Sequence, residues 1–219
     1  MRNFALILFA ILTTDFSFAQ GDAQAVYKPA ARNFTAEVNF NPFSSSPVSI
    51  NYLRARKFLT DQKALRLGLL LGFKNQQPQD KIDQSSFEIN IRPGYEWHFA
   101  GTERLSPYLG ADIDVAFKTA KYNNNGNQSV YVNSVNGAWD SNGTEHGFFR
   151  FGGNILAGVD FYLIKKLYMG VEFGYGFQLT NYSDIVVTTQ GGGSTTAAGG
   201  TNFQLGPNYN SSLRLGFVF

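Results

Sequence analysis

The chain has 219 residues, 43% of them hydrophobic and only 16% charged, with a formal net charge of +2. That length suits one domain, the near-neutral balance argues against nucleic acid as a partner, and the lack of any cysteine excludes disulfides and Cys-ligated metal. With 23 glycines and 21 phenylalanines beside 11 tyrosines and 2 tryptophans, the mix favours short strands and turns over helices.

Residues 1–19 read as a secretory signal peptide. Arg2 and the free amine make a positive start, residues 4–12 form a short apolar core, and Ser17-Phe18-Ala19 supplies a small-x-small cleavage site. The apolar run falls short of the ~20 residues a spanning helix needs. Residues 20–219 are then one mature domain. Cleavage removes Arg2 and Asp15 together, so the net charge is unchanged, and no cysteine marks the new N-terminus for lipidation. No later stretch reaches 18 consecutive apolar residues, so helices do not place this chain in a membrane.

Eight segments of about ten residues then alternate apolar and polar side chains, the period-two pattern of strands with two unlike faces. The first is 34–40. The second, 48–58, starts regularly and then breaks, because Arg54 and Arg56 fall on the parity of Ile50 and Tyr52. A β-bulge near Tyr52-Leu53 would return both arginines to the polar side; Arg facing lipid at the midplane costs roughly 2–4 kcal/mol. Segment 65–73 follows. Segment 87–99 sets Phe87, Ile89, Ile91, Tyr95, Trp97 and Phe99 against Glu88, Asn90, Arg92, Glu96 and His98. Next come 109–117 and 149–161, the latter with Arg150, Asn154 and Asp160 on its polar face. Segment 167–179 sets Glu172, Gln178 and three glycines against seven apolar residues, and 209–219 ends the chain.

Alternation alone also fits a soluble barrel with a greasy interior. Two features favour apolar residues facing lipid outside. The polar faces carry Glu37, Glu88, Glu96, Asp112, Asp114, Asp160 and Glu172 with Arg66, Arg92, Arg150 and Arg214, a set that can pair inside an eight-stranded barrel, whose lumen is just wide enough for side chains to fill. The aromatics also gather at segment ends: Phe40, Phe73, Phe87, Phe117, Phe149, Phe177 and Tyr209 at one, Phe34, Phe58, Trp97, Phe99, Phe161 and Phe219 at the other. Two aromatic girdles around an aliphatic band suit two membrane–water interfaces. The expected fold is an all-β, eight-stranded antiparallel up-and-down transmembrane β-barrel, closed because hydrocarbon cannot satisfy a free sheet edge.

Connectors alternate in length. Residues 59–62, 100–104 and 163–166 are short turns; 42–47 is a loop, and 74–86, 119–147 and 180–208 are long ones. Short periplasmic turns and longer outer loops place both termini in the periplasm. The 119–147 loop carries the turn formers Asn125-Gly126, Asn136-Gly137 and Asn142-Gly143, and its 129–132 stretch can extend the hairpin. Residues 191–200 form a Gly/Ser/Thr/Ala run expected to be mobile. These two loops either shield the barrel top or bind an extracellular ligand.

Tyr209, Leu213, Leu215, Phe217 and Phe219 make a one-sided apolar strand ending on an aromatic. This resembles the terminal strand by which outer-membrane barrels are recognised for assembly. With the signal peptide and the eight segments, the chain resembles the small OmpA/OmpX-type outer-membrane barrel family; the stretches 37–43 and 63–68 are similar to barrels of this kind. The resemblance implies a cell outer-membrane location, export through the periplasm, and outer-membrane lipid and the barrel-assembly machinery as partners. The chain ends at Phe219, so no peptidoglycan-binding domain is expected.

Chemistry is sparse. His98, on the inward face, and His146, in a loop, have no serine and carboxylate at informative spacing, so no catalytic residues are assigned and no enzyme is expected. Two histidines without cysteine make a poor zinc site. Residues 140–145 lack the ligand series of a calcium loop, and 191–194 have no following lysine to make a phosphate loop. No metal or cofactor is expected. The inward charges either plug the barrel or form an ion path. The expectation is a non-enzymatic barrel displaying its loops for envelope integrity or surface interaction, with a narrow porin-like channel for small solutes or ions as the alternative and a lipid-modifying enzyme third.

Overall fold

The computed structural model of the chain describes residues 27–40, 48–126, 132–209 and 213–219. The signal peptide read at 1–19, the loop at 42–47 and most of the 129–132 stretch lie outside the described residues. Among those described, twelve strands occur: β1 Phe34–Phe40, β2 Val48–Thr60, β3 Lys63–Gln79, β4 Ile82–His98, β5 Leu105–Asn124, β6 Val132–Asn136, β7 Phe148–Ile164, β8 Leu167–Tyr182, β9 Ile185–Thr189, β10 Ser194–Ala197, β11 Thr201–Tyr209 and β12 Leu213–Val218. No helix among the described residues is long and apolar enough to cross a membrane.

Antiparallel pairing runs β1, β2, β3, β4, β5, β7, β8 and then β12, which bonds both β8 and β1. The first and last strands meet from Thr35↔Val218 to Phe40↔Leu213, so eight positions close a ring. β11 precedes β12 along β8, from Thr201↔Asn181 to Tyr209↔Phe173. The turns at one end are short: Asp61-Gln62, residues 99–104, and Lys165-Lys166.

Outward positions are apolar and exposed all round, as a lipid-facing surface requires. Phe73, Phe87, Phe117, Phe149 and Phe177 ring the loop end; Phe34, Trp97, Phe99, Phe161 and Phe219 ring the turn end; Leu67, Ile91, Ile113 and Ile155 lie between. Phe58 departs from the expected girdle. It is fully buried inside the turn end, its ring centroid 5.1 Å from that of His98.

The reason lies in β2. Its register against β1 jumps from Val38↔Leu53 to Asn39↔Ser49, an irregularity in the region where the sequence requires a bulge. From Tyr52 on, even-numbered side chains point inward, carrying Arg54, Arg56 and Phe58 with them, while Leu53 is exposed. Tyr52 follows the arginines: its hydroxyl is shielded and its ring lies between the Arg54 and Arg92 guanidiniums, 5.6 and 5.9 Å away.

Beyond the girdle the strands continue, and here the expected long loops are corrected. β3 and β4 extend to a tight turn at Asp80-Lys81, where Lys81 has φ 62°. Polar side chains on both faces conceal this, because water on each side removes the alternation. The other two loops fold into an annex, β5–β6–β9–β10, with a small apolar core of Val135, Ala138 and Ile185. The 191–200 run, expected as mobile low-complexity chain, contains β10 paired with β9. Gly126, Gly137 and Gly143 all take positive φ, as their Asn-Gly positions predict. At Gly137 a Cβ would stand 2.1 Å from the Asp184 carbonyl, so only glycine lets these segments close.

Candidate functional site: the charged lumen

An eight-stranded ring leaves an interior about one side chain deep, and this one is filled with ions. The side chains of Glu37 (β1), Arg54 and Arg56 (β2), Arg66 (β3), Glu96 (β4), Asp160 (β7), Glu172 (β8) and Arg214 (β12) are all buried. Arg56 donates from Nη1 to Glu96 (3.0 Å) and Asp160 (2.8 Å), and from Nη2 to Glu37 and to the Tyr168 hydroxyl (3.1 Å). Arg214 spans Glu37 and Asp160, at 3.0 Å each. Arg54 spans Glu37 (3.1 Å) and Glu172 (3.2 Å). Arg66 grips Glu172 with both Nη atoms, at 2.8 and 3.1 Å, and reaches Glu96 at 3.1 Å. Four guanidiniums thus face four carboxylates.

β5 completes the circle with a phenol: Tyr108 donates to Glu172 at 2.5 Å, and Tyr168 donates to Glu37 at 2.8 Å. Both rings lie flat over glycines on the neighbouring strand. A Cβ on Gly158 would come 2.4 Å from the Tyr108 ring, and one on Gly216 would come 2.2 Å from the Tyr168 ring. Below the ions, Phe58, His98, Tyr162 and Val218 fill the turn end.

A second cluster sits nearer the loops. Asp114, fully buried, accepts from Arg92 Nε (2.9 Å) and Nη2 (2.5 Å) and from Asn90 (2.5 Å), with Arg150 Nη2 3.5 Å away. Asp112 lies between the clusters, accepting from Asn154 at 2.8 Å and facing Arg66 at 3.6 Å. Of the lumen residues read from parity, Glu88 alone joins neither cluster. It is half-buried and stands opposite Lys118 in the β4–β5 ladder. Lys118 instead shares Glu145 with Lys74, and those hydrogen bonds hold the Glu145 carboxyl below the usual range.

Sequence reading brought Arg54 and Arg56 to the polar side through the inferred bulge, where both are buried, but missed Tyr108 and Tyr168. The two tyrosines share the parity of Asp112 and Glu172, which was the available signal. Sequence spacing also gave no sign of the neighbours of His98: its Nδ1 lies 3.0 Å from Ser106 Oγ and its Nε2 lies 3.1 Å from Glu96. Folding joins residues that spacing could not. All three are buried, and Glu96 is already engaged by Arg56 and Arg66, so the group is tied into the buried ionic cluster.

A cavity of about 230 Å³ opens above the lower cluster, lined by Tyr52, Arg54, Arg92, Asp112, Arg150 and Glu172 among others. A second, of about 450 Å³, leads from Arg150 past Gln178 to Lys118 and Glu145 at the loop end.

The model of the OmpA-OmpF-like porin family matches residues 79–219, more than half of the chain. The chain belongs to that family. Its ring of antiparallel strands, ionic lumen and exposed aromatic girdles are those of an outer-membrane β-barrel protein. Among solved structures, the E. coli outer membrane protein W, determined in solution by NMR, is similar at 13% identity and a TM-score of 0.41, over 87% of this chain and 99% of that one. No curated protein matches. In this family member the terminal-strand residues Leu213, Leu215, Phe217 and Phe219 lie at the seam with β1 or just after it, Phe217 and Phe219 facing out; Tyr209 pairs with Phe173 one strand segment earlier.

Proposed function

We propose that this barrel is a non-enzymatic scaffold whose lumen is plugged towards the periplasm and whose folded β6–β9–β10 annex stands outside the cell for surface interaction or envelope integrity. The observation that carries the reading is the lower cluster. Four arginines and four carboxylates draw on seven of the eight ring positions, the Tyr108 phenol adds the eighth, and the packed rings of Phe58, His98 and Tyr162 lie beneath. Opening a path would separate buried opposite charges, which is costly in a low-dielectric lumen. In this reading lipid surrounds the apolar band, and the assembly machinery engages the C-terminal strand after export through the periplasm. An extracellular ligand would meet residues 119–147 and 180–208. The buried His98–Ser106–Glu96 group offers no accessible nucleophile, which supports a non-enzymatic role.

A narrow channel is the second reading, favoured by the two cavities reaching down to Arg54 and Glu172. Single-channel recording of refolded protein in a planar bilayer separates the two, with slower migration on boiling as the control for a folded barrel. Silence is expected. Reproducible steps altered by Arg54→Gln or Glu172→Gln would establish the channel instead.

A further inference from the structure

We infer that the upper lumen is a binding site for a small oxyanion, a carboxylate or phosphate group, held by Arg150 and Arg92. The inference stands apart from the question of conduction, because the site lies above the plug.

Supply and demand of hydrogen bonds point to it. Asp114 is the carboxylate both guanidiniums share, and its oxygens are already taken by two donors from Arg92 and one from Asn90. Arg150 keeps only a 3.5 Å approach to it, and among the described residues it donates no hydrogen bond; its Nε is shielded and without an acceptor. An Arg guanidinium carries five donors in a rigid fork that matches a planar or tetrahedral oxyanion. Here that fork stands in the cavity wall with one long ion pair, to Asp114, and the Phe148 ring 5.5 Å away, leaving its donors without a hydrogen-bond acceptor among the described residues. Among the described residues the Tyr52 hydroxyl, lining the same cavity, is also without a partner.

What a solute would meet is positive. The Arg92 and Arg150 side chains are each about a fifth exposed (21% and 22%), whereas Asp114 is wholly covered. Asp112 and Glu172 also line the cavity but are buried. Glu172 is consumed by Arg54, Arg66 and Tyr108. Asp112 is the group that opposes an anion. A volume of about 230 Å³ admits a phosphate or a short carboxylate, and Arg150 also lines the larger cavity that leads out between Lys118 and Gln178.

The test uses refolded protein in detergent micelles, with the arginine Nε–Hε signals followed by NMR at constant ionic strength. Sodium phosphate and sodium acetate are titrated separately to tell which oxyanion is preferred. Saturable shifts of the Arg150 and Arg92 signals are expected, with Arg32 and Arg104 in the turns unmoved. Arg150→Lys keeps the charge but loses the fork and is expected to weaken binding about tenfold; Arg150→Gln should abolish it. Asp112→Asn removes the opposing charge and should tighten binding several-fold, which serves as the independent arm if the Arg150 variants fail to show the boiling-dependent gel shift. Shifts that rise linearly at every arginine, or an affinity unchanged in Arg150→Gln or in Asp112→Asn, would mean an adventitious ion only and overturn the site.

Discussion

Replacing Arg56 by methionine should be the most damaging single change in the lumen. Arg56 is completely buried and binds Glu37, Glu96, Asp160 and Tyr168. Methionine restores most of the volume, so the loss is electrostatic: four carboxylates then face three guanidiniums. Each stranded acid keeps at least one partner: Glu37 keeps Arg54 and Arg214, Asp160 keeps Arg214, and Glu96 keeps Arg66 and His98. Breaking a buried pair from one side costs about 3–5 kcal/mol, and the remaining partners put this case near the lower figure. Arg150→Met is the contrast. Its contact to Asp114 is 3.5 Å long and part-exposed, and Asp114 stays held by Arg92 and Asn90, so about 1 kcal/mol or less is at stake. The assay is urea unfolding in lipid vesicles, scored by the mobility of unboiled samples. Arg56→Met should lower the midpoint by about 1–3 M, taking an ordinary urea dependence, and adding Asp160→Asn should restore part of it. Equal midpoints for Arg56→Met and Arg150→Met would refute the claim that the lower cluster holds the barrel together.

Three further outcomes follow from the same geometry. Gly158→Ala and Gly216→Ala push a methyl into the Tyr108 and Tyr168 rings and should each cost about 1–3 kcal/mol in the same urea assay, while Gly206→Ala, with nothing within 4 Å, should not. Ile155→Arg places a charge midway between the girdles, where Ile155 is 67% exposed; it should cost roughly 2–4 kcal/mol, and a neutral result would deny that this face meets lipid. Glu145 is held below the usual carboxylate range by Lys118 and Lys74. Its lowered value means the clamp is complete above the unfolded value of about pH 4.3 and is lost below that, as acid carries the pH down through the lowered folded value. Hydrogen exchange of residues 140–147 should therefore quicken only in that acidic window, and Glu145→Gln should remove the dependence.

Period-two alternation made the ring, the outward faces and most lumen charges legible in the sequence, because one face meets lipid and the other meets ions. Where that contrast fades, so does the reading. Gln76, Gln84 and Lys121 lie in water-flanked ladders above the girdle, so their strands looked like loops. Arg54 and Arg56 required a bulge to be inferred from the cost of the alternative, and the same shift then carried Tyr52 inward together with Phe58, which the aromatic-girdle argument had set outside. The tyrosines escaped for another reason: an aromatic on the inward face matters only when a cross-strand glycine makes room, and Tyr108↔Gly158 and Tyr168↔Gly216 are pairings between strands. His98, Ser106 and Glu96 meet for the same reason, across the β4–β5 ladder.

The bond from Arg214 to Glu37 joins residues 177 positions apart. Until the last strand arrives, Glu37 has the two arginines of β2 but lacks its third, and Asp160 lacks one of its two. A partly zipped chain therefore carries unbalanced charge along its inner face and a free edge besides, and neither is tolerated in hydrocarbon. Partial insertion is penalised at every intermediate stage, and the reward arrives with the final pairing. Assembly of this chain should accordingly be slow, as long-range closure dictates, and all-or-none in the bilayer. Truncating β12 should then leave protein stalled outside the membrane rather than a seven-stranded remnant within it.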